Sequence, residues 1–328
     1  MRALRLGPDG PFLAPEHPVP QPGPGMARLR LRLAGVCSTD LELVKGYMGF
    51  EGTLGHEFVA TVESVATPET DGDDRAGARS WVGKRVVGSI NLGCGRCRIC
   101  AGHGSEHCPH RTVLGIAGHD GAFADRLTLP LSNLLEVPGS VSDEEAVFTE
   151  PLAAALRIRE QIRVRPGARI AVVGPGRLGL LIAQVLGLAG GEVTVLGRRE
   201  ASLELPASWG LATALAGNAP DDAFDVVVEA TGNEQGLARS LGLVRPRGTL
   251  VLKSTFHGAA SVDLTKLVVA EIEVVGSRCG PFAPALRLLE RRQVQVRPLI
   301  QAEYPLAEGL AALEHAARPG VLKVLLRP

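Results

Sequence analysis

The sequence predicts an α/β fold in which a doubly wound parallel sheet is joined to a second, β-rich domain. Three observations carry this. Arg169–Val173 reads as a buried strand, Gly174-Pro175-Gly176-Arg177-Leu178-Gly179 as a glycine-rich turn, the apolar run to Ala189 as a helix, and Glu192–Leu196 as a second strand. Further short apolar segments come at Ala212–Leu215, Asp225–Glu229, Thr249–Lys253 and Glu273–Gly276, with helical stretches between them; strand alternating with helix builds a parallel sheet. Ahead of all this, the first part of the chain offers short strand-like runs broken by proline and glycine, as a β-rich domain does.

The 328 residues suffice for two domains. Thirty-five basic and thirty-five acidic residues cancel. No basic face is implied, so neither nucleic acid nor an anionic membrane is expected as a partner. No apolar run approaches the roughly eighteen residues that span a membrane. Met1–Leu6 leads into Gly7-Pro8-Asp9-Gly10 without the apolar stretch of a signal peptide. A soluble, cytoplasmic protein is expected.

Taken in order, residues 1–32 are short strands and turns, dense in proline. Met26–Ala34 alternates apolar and basic residues with period two, the mark of a half-exposed strand. It delivers the chain to Cys37-Ser38-Thr39-Asp40. A second strand opens at Gly55-His56-Glu57. Taken alone, Cys37 reads as a small buried hydrophobe and His56 as a core histidine. Together with Glu57 they offer thiolate, imidazole and carboxylate, a donor mix that suits zinc. Residues 67–80 form a polar, glycine-rich loop, and Trp81–Ile90 resumes strand character.

Four of the six cysteines, Cys94, Cys97, Cys100 and Cys108, then fall within fifteen residues. In a chain without an export signal that crowding argues for a metal over disulfides. Four thiolates close a tetrahedral zinc with no open position, so this site is structural. An iron–sulfur cluster competes, but the x7 gap before Cys108 does not match its usual spacing. His103, His107 and His110 read as loop residues. Ser142 and Glu145 form a capping box at a helix start. Glu150 precedes Pro151, which pushes its backbone away from regular helix.

The glycine turn of the second domain has the dinucleotide-binding arrangement. Gly174 allows the tight turn, Gly176 admits a pyrophosphate to the backbone, and Gly179 lets the helix pack close. Arg177 and Leu178 open that helix, whose N-terminal N–H groups face the phosphates. An NAD site usually carries an acid about twenty residues past the glycines. Here the strand ends in Gly197, then Arg198 and Arg199. Two guanidiniums suit a 2′-phosphate, so NADP is favoured over NAD. Thr231 and Lys253 come after later strands at their carboxyl ends, where ligands bind in such sheets. Phe282–Arg292 and Leu306–Ala316 read as helices, Leu299–Tyr304 and Val321–Leu326 as strands. The first domain is therefore expected to be discontinuous: 1–145 with 278–328, around a nucleotide-binding domain at 146–277.

Cys37-x-Thr39-Asp40, Gly55-His56-Glu57, the four-cysteine lobe at 91–110, Glu150-Pro151-Leu152 and the glycine turn occur in the order seen in zinc-dependent medium-chain dehydrogenases. The whole chain resembles that superfamily, and its polyol, threonine and sugar dehydrogenase branch in particular. The resemblance implies a GroES-like catalytic domain, a Rossmann domain, an active site between them, and a homodimer or homotetramer. It implies two zincs per chain, one catalytic and one structural. Cys37, His56 and a carboxylate from Glu57 or Glu150 would hold the catalytic ion. Asp40 resembles the carboxylate that orients the histidine, and Thr39 the hydroxyl that passes the substrate proton onward. Liver-type enzymes continue that relay to a histidine where this chain has Glu42. Lys323 falls where the family often has a basic group near the pyrophosphate. Tyr47, Phe50 and Phe256 are candidates for the substrate pocket.

The expected reaction is hydride transfer between an alcohol–carbonyl pair and NADP(H), the substrate being a small polyol, sugar or secondary alcohol. A zinc-free quinone or enoyl reductase on the same scaffold would need neither the Cys–His–Glu set nor the cysteine lobe. A non-catalytic NADP(H)-binding redox sensor would need no catalytic ligands.

Overall fold

The computed structural model describes residues 1–66, 77–255 and 259–328. Most of the expected 67–80 loop, and Phe256, lie outside them. The chain divides into two compact units, Met1–Glu150 with Phe282–Pro328, and Pro151–Pro281.

The first unit is β-rich. Its largest sheet runs, in spatial order, Leu134–Glu136, Arg85–Gly88, Glu57–Val65, Met26–Gly35, Lys323–Arg327 and Ile300–Pro305, with Arg126–Pro130 also paired to Met26–Gly35. Alternation in the central strand explains its place: Ala27, Leu29, Leu31 and Leu33 are buried while Arg30 and Arg32 are exposed. The C-terminal strand Lys323–Arg327 pairs with this N-terminal strand, which closes the discontinuous unit.

Glu63 clamps the outer face of that sheet. Its carboxylate takes Arg28 Nε at 2.8 Å and Arg126 Nε at 3.0 Å, joining three adjacent strands. The hydrogen bond from Arg126, with a second from Arg28, outweighs partial burial and holds the Glu63 pKa below its ordinary value. A depressed carboxylate stabilises the fold above its unfolded pKa and loses that contribution as pH falls through the folded one. Glu63→Gln is therefore expected to lower stability by about 1 kcal/mol at pH 7, the upper end for screened pairs. The difference between denaturant melts of the two proteins should begin to shrink below roughly pH 4 and vanish only once pH lies below the lowered folded-state pKa.

Ser142 caps the short helix Asp143–Ala146 as expected, its Oγ accepting from Glu145 N–H at 3.3 Å while Glu145 Oε2 accepts from Ser142 N–H at 2.9 Å. The helix break expected at Glu150-Pro151 is not there. Both residues lie in the first turn of helix Thr149–Gln161, where a proline removes no helical hydrogen bond. The interruption falls earlier, between Ala146 and Thr149.

The second unit holds a six-stranded sheet, in the order Ala212–Leu215, Glu192–Gly197, Arg169–Val173, Phe224–Glu229, Val244–Leu252, Glu273–Gly276. Every neighbouring pair is parallel. Val172, Val195, Val227 and Val251 are fully buried at its centre, each worth about 1.5–3 kcal/mol of burial. The order reverses between Arg169–Val173 and Phe224–Glu229, the switch point where doubly wound sheets bind ligands. Among the described residues no helix is long and apolar enough to cross a membrane.

Candidate metal centres and cofactor site

Cys37, His56 and Glu57 converge. One ligand atom from each lies within 4.8 Å of the others. Cys37 comes after strand Met26–Gly35, and Glu57 opens the neighbouring strand Glu57–Val65 with Gly35 as its register partner. Gly35 has to be small there, because a Cβ on it would stand 2.6 Å from Glu57 Oε2. Gly55 holds φ +94°, and a Cβ there would collide with the Phe123 ring; the next residue, His56, is buried. Glu57 Oε1 is buried with no hydrogen-bond partner. Thiol, imidazole and an unpartnered buried carboxylate oxygen fit a divalent transition ion.

Asp40 orders this group from complete burial. Its Oδ2 accepts Cys37 N–H at 2.8 Å and its Oδ1 accepts Gly55 N–H at 3.2 Å. Oδ1 also stands 3.3 Å from His56 Nδ1, at ion-pair distance but poorly aligned for a hydrogen bond. That leaves Nε2 for an ion. Burial opposes a charge on His56, yet Asp40 and Cys37 outweigh it and hold its pKa well above the ordinary value. The surroundings favour positive charge at that ring, which a bound ion would supply in place of the proton. Thr39 Oγ1 lies 3.8 Å from Cys37 Sγ. Glu42 sits further along the same helix, paired with Lys45 at 2.8 Å.

Of the two carboxylates expected to compete for this ion, Glu57 lies in the group, and Lys323 is placed differently from expectation. Glu150 is not part of the Cys37–His56–Glu57 group; it opens helix Thr149–Gln161, half-buried. Lys323, expected beside a pyrophosphate, is 1% exposed and donates to Glu57 Oε2 and Val36 O. A buried carboxylate without a countercharge is costly, and Lys323 is that countercharge. Phe50 is buried and Tyr47 half-buried.

The four cysteines of the lobe also converge within 4.8 Å. Cys97 Sγ and Cys108 Sγ are 3.8 Å apart, and a tetrahedron with Zn–S bonds of about 2.3 Å has edges of about 3.8 Å. Backbone N–H groups of Cys94 and Cys100 point at Cys108 Sγ and Cys97 Sγ, each at 3.4 Å, as they do toward thiolates. The backbone N–H of Arg96 leads in drawing the Cys94 pKa down to about 6, while burial leads in pushing Cys100 up to about 11.

In the second unit Gly174 takes φ +107°, and a Cβ there would stand 2.6 Å from Ala230 O. Gly179 is equally closed in, since a Cβ on it would collide with Gly174 O. Gly176 is the N-cap of helix Arg177–Leu188, with no side-chain cap and open space where a Cβ would be. Arg177 and Leu178 open that helix, at the end where a positive dipole favours an anion. Arg198 and Arg199 are exposed at the end of strand Glu192–Gly197.

A sorbitol dehydrogenase of Halalkalibacterium halodurans is 30% identical over 97% of this chain and 96% of its own length. The family model "Alcohol dehydrogenase GroES-like domain" matches residues 23–139, and "Zinc-binding dehydrogenase" matches residues 178–291. The chain belongs to the zinc-dependent medium-chain alcohol dehydrogenase family. Solved structures agree with that family. A protein of Sinorhizobium meliloti 1021, solved bound to NADP, superposes with TM-score 0.87 at 26% identity, covering 100% of this chain and 99% of that one. A cobalt- and zinc-bound alcohol dehydrogenase of Pyrobaculum aerophilum does so with TM-score 0.86 at 30% identity and the same coverage.

One buried acid of the dehydrogenase stands outside the motifs. Glu229 ends the apolar run Val226-Val227-Val228 and is 2% exposed. An acid closing a buried strand was the available signal. Lys253 was expected to meet the cofactor, but its Nζ is held by Arg278 O at 2.5 Å and Ser277 Oγ at 3.3 Å. Thr231 is turned toward Glu229, its Oγ1 donating to Glu229 Oε1 at 2.6 Å.

Proposed function

We propose that this dehydrogenase moves hydride between a small polyol, sugar or secondary alcohol, with its carbonyl counterpart, and NADP(H), holding one catalytic and one structural zinc per chain. The observation that carries the reading is the convergence of Cys37, His56 and Glu57 around an unpartnered carboxylate oxygen. When bound, the zinc supplies Lewis acidity and the nicotinamide takes or gives the hydride. The chain's own residues do the rest. Cys37 and His56 hold the ion, Asp40 keeps both in place, and the Thr39 hydroxyl accepts the substrate's proton and passes it on toward Glu42, the cofactor ribose or water. Glu57 is the third ligand. Glu150 is the second candidate, favoured by the ion pair that already compensates Glu57. Cys94, Cys97, Cys100 and Cys108 hold the structural ion.

The glycine turn and the helix starting at Arg177 support the pyrophosphate, and Arg198 and Arg199 a 2′-phosphate. Relatives named sorbitol dehydrogenase and D-arabinitol dehydrogenase 1 (27% identical over 90% of this chain) support a polyhydroxy substrate. The free thiols suit a reducing compartment, the cytoplasm. A homodimer or homotetramer belongs to the same reading.

A screen of polyols, sugars and secondary alcohols with NADP and NAD tests it. Arg198→Ala/Arg199→Ala is expected to raise KM for NADP about 100-fold, the loss of about 3 kcal/mol of charge-assisted hydrogen bonding. KM for NAD should stay within about twofold. Equal effects on both cofactors would refute the assignment of the arginines.

A further inference from the structure

Two buried charges at the carboxyl edge of the parallel sheet remain without a task in that scheme. Glu229 ends strand Phe224–Glu229, and Lys253 comes directly after strand Val244–Leu252 at 8% exposure. A buried charged side chain is tolerated only where its hydrogen bonds are met.

Glu229 gathers four donors on one oxygen. Oε1 accepts from Thr231 N–H and Thr231 Oγ1–H, both at 2.6 Å, from Gly232 N–H at 3.2 Å and from Ser254 Oγ–H at 3.3 Å. Thr231 in turn packs on the glycine turn, since a Cβ at Gly174 would stand 3.2 Å from Thr231 Cγ2. Lys253 ties down Ser277 and Arg278, which come after strand Glu273–Gly276. The pair therefore pins the backbone leaving three adjacent strands: 231–232, 254 and 277–278.

All three strands lie on one side of the switch point, while Arg198 and Arg199 end a strand on the other. The two halves of a dinucleotide bind on the two sides of that point. With the 2′-phosphate on the arginine side, the nicotinamide half falls on the Glu229 side. We infer that Glu229 and Lys253 are positioning residues for the nicotinamide half of the cofactor, acting through the backbone they hold. The inference rests on the NADP(H) reading above.

The test compares two ligands on the full chain: NADPH, which has both halves, and adenosine 2′,5′-bisphosphate, which has only the adenine half. Glu229→Ala and Lys253→Met are expected to weaken NADPH by about tenfold or more, as loss of hydrogen bonds to a charged group does. Bisphosphate affinity should stay within about twofold of wild type. Glu229→Gln keeps an oxygen for all four donors and should restore NADPH binding. Thr231→Val, a milder change, should weaken NADPH alone and by less. Equal loss of both ligands, no loss of either, or a Gln variant as poor as Ala would overturn the inference while wild type still binds both. A wild type that takes neither ligand would instead refute the NADP(H) reading, and this inference with it.

Discussion

Cys37→Ser is expected to lower turnover by about 1000-fold or more while NADPH affinity stays within about twofold of wild type. A catalytic metal contributes several kcal/mol of charge stabilisation, and each 1.36 kcal/mol is about tenfold in rate. Serine is close in size but cannot form an anion near neutral pH, so it is a far weaker ligand than a thiolate. The other members stay in place, because Asp40 holds Gly55 as well as Cys37. Metal analysis should fall from two zincs per chain to one. NADPH binding is spared because the glycine turn belongs to a different unit, Pro151–Pro281. Two further variants identify the carboxylate: whichever of Glu57→Gln and Glu150→Gln loses the same zinc held the ion. Near-normal activity in Cys37→Ser, or two zincs retained, would end the metal mechanism.

Much of this was readable from sequence wherever the determinant is local. The parallel sheet announced itself because each strand is a short apolar run and the glycine turn marks the passage from the first strand into its helix. The convergence of the four cysteines was readable for the same reason, since they all fall within 94–108. The features that escaped depend on distance or on side-chain direction. Lys323 and Glu57 are 266 residues apart, and nothing near either position tells that one neutralises the other. Lys253 stands at the strand end where ligands bind, but its chain runs sideways to Ser277 and Arg278, and no residue pattern encodes that choice. Pro151 marked a break that the structure places earlier, because proline in a first turn and proline after a helix leave the same trace in sequence. The two lysine misses are tertiary contacts overriding a correct local rule; the proline miss is an ambiguity of the local signal itself.

Cys108→Ser should damage the fold more than the chemistry. Cys108 is fully buried and receives both the Cys94 N–H and the approach of Cys97 Sγ. The lobe's sheet is small, three strands of two or three residues each, Asn91–Leu92, Thr112–Leu114 and Gly118–His119. Sheets that short are not stable alone, so an ion held by the four thiolates would supply much of the order. Its loss is expected to lower Tm by at least about 10 °C and to remove one zinc, while the Cys37 site keeps the other. The pH dependence comes from the thiols. Zinc must displace whatever protons they carry. Cys94, with its pKa drawn down to about 6, is already a thiolate at pH 7, whereas Cys100, pushed up to about 11, is protonated. Zinc uptake by the stripped protein should therefore release protons and weaken as pH falls, by about one decade in affinity per pH unit for each proton displaced. A competition titration with a chromophoric chelator at pH 6, 7 and 8 reads that slope directly. A flat profile, or an unchanged Tm in Cys108→Ser, would mean that the lobe is held by its packing and not by a metal.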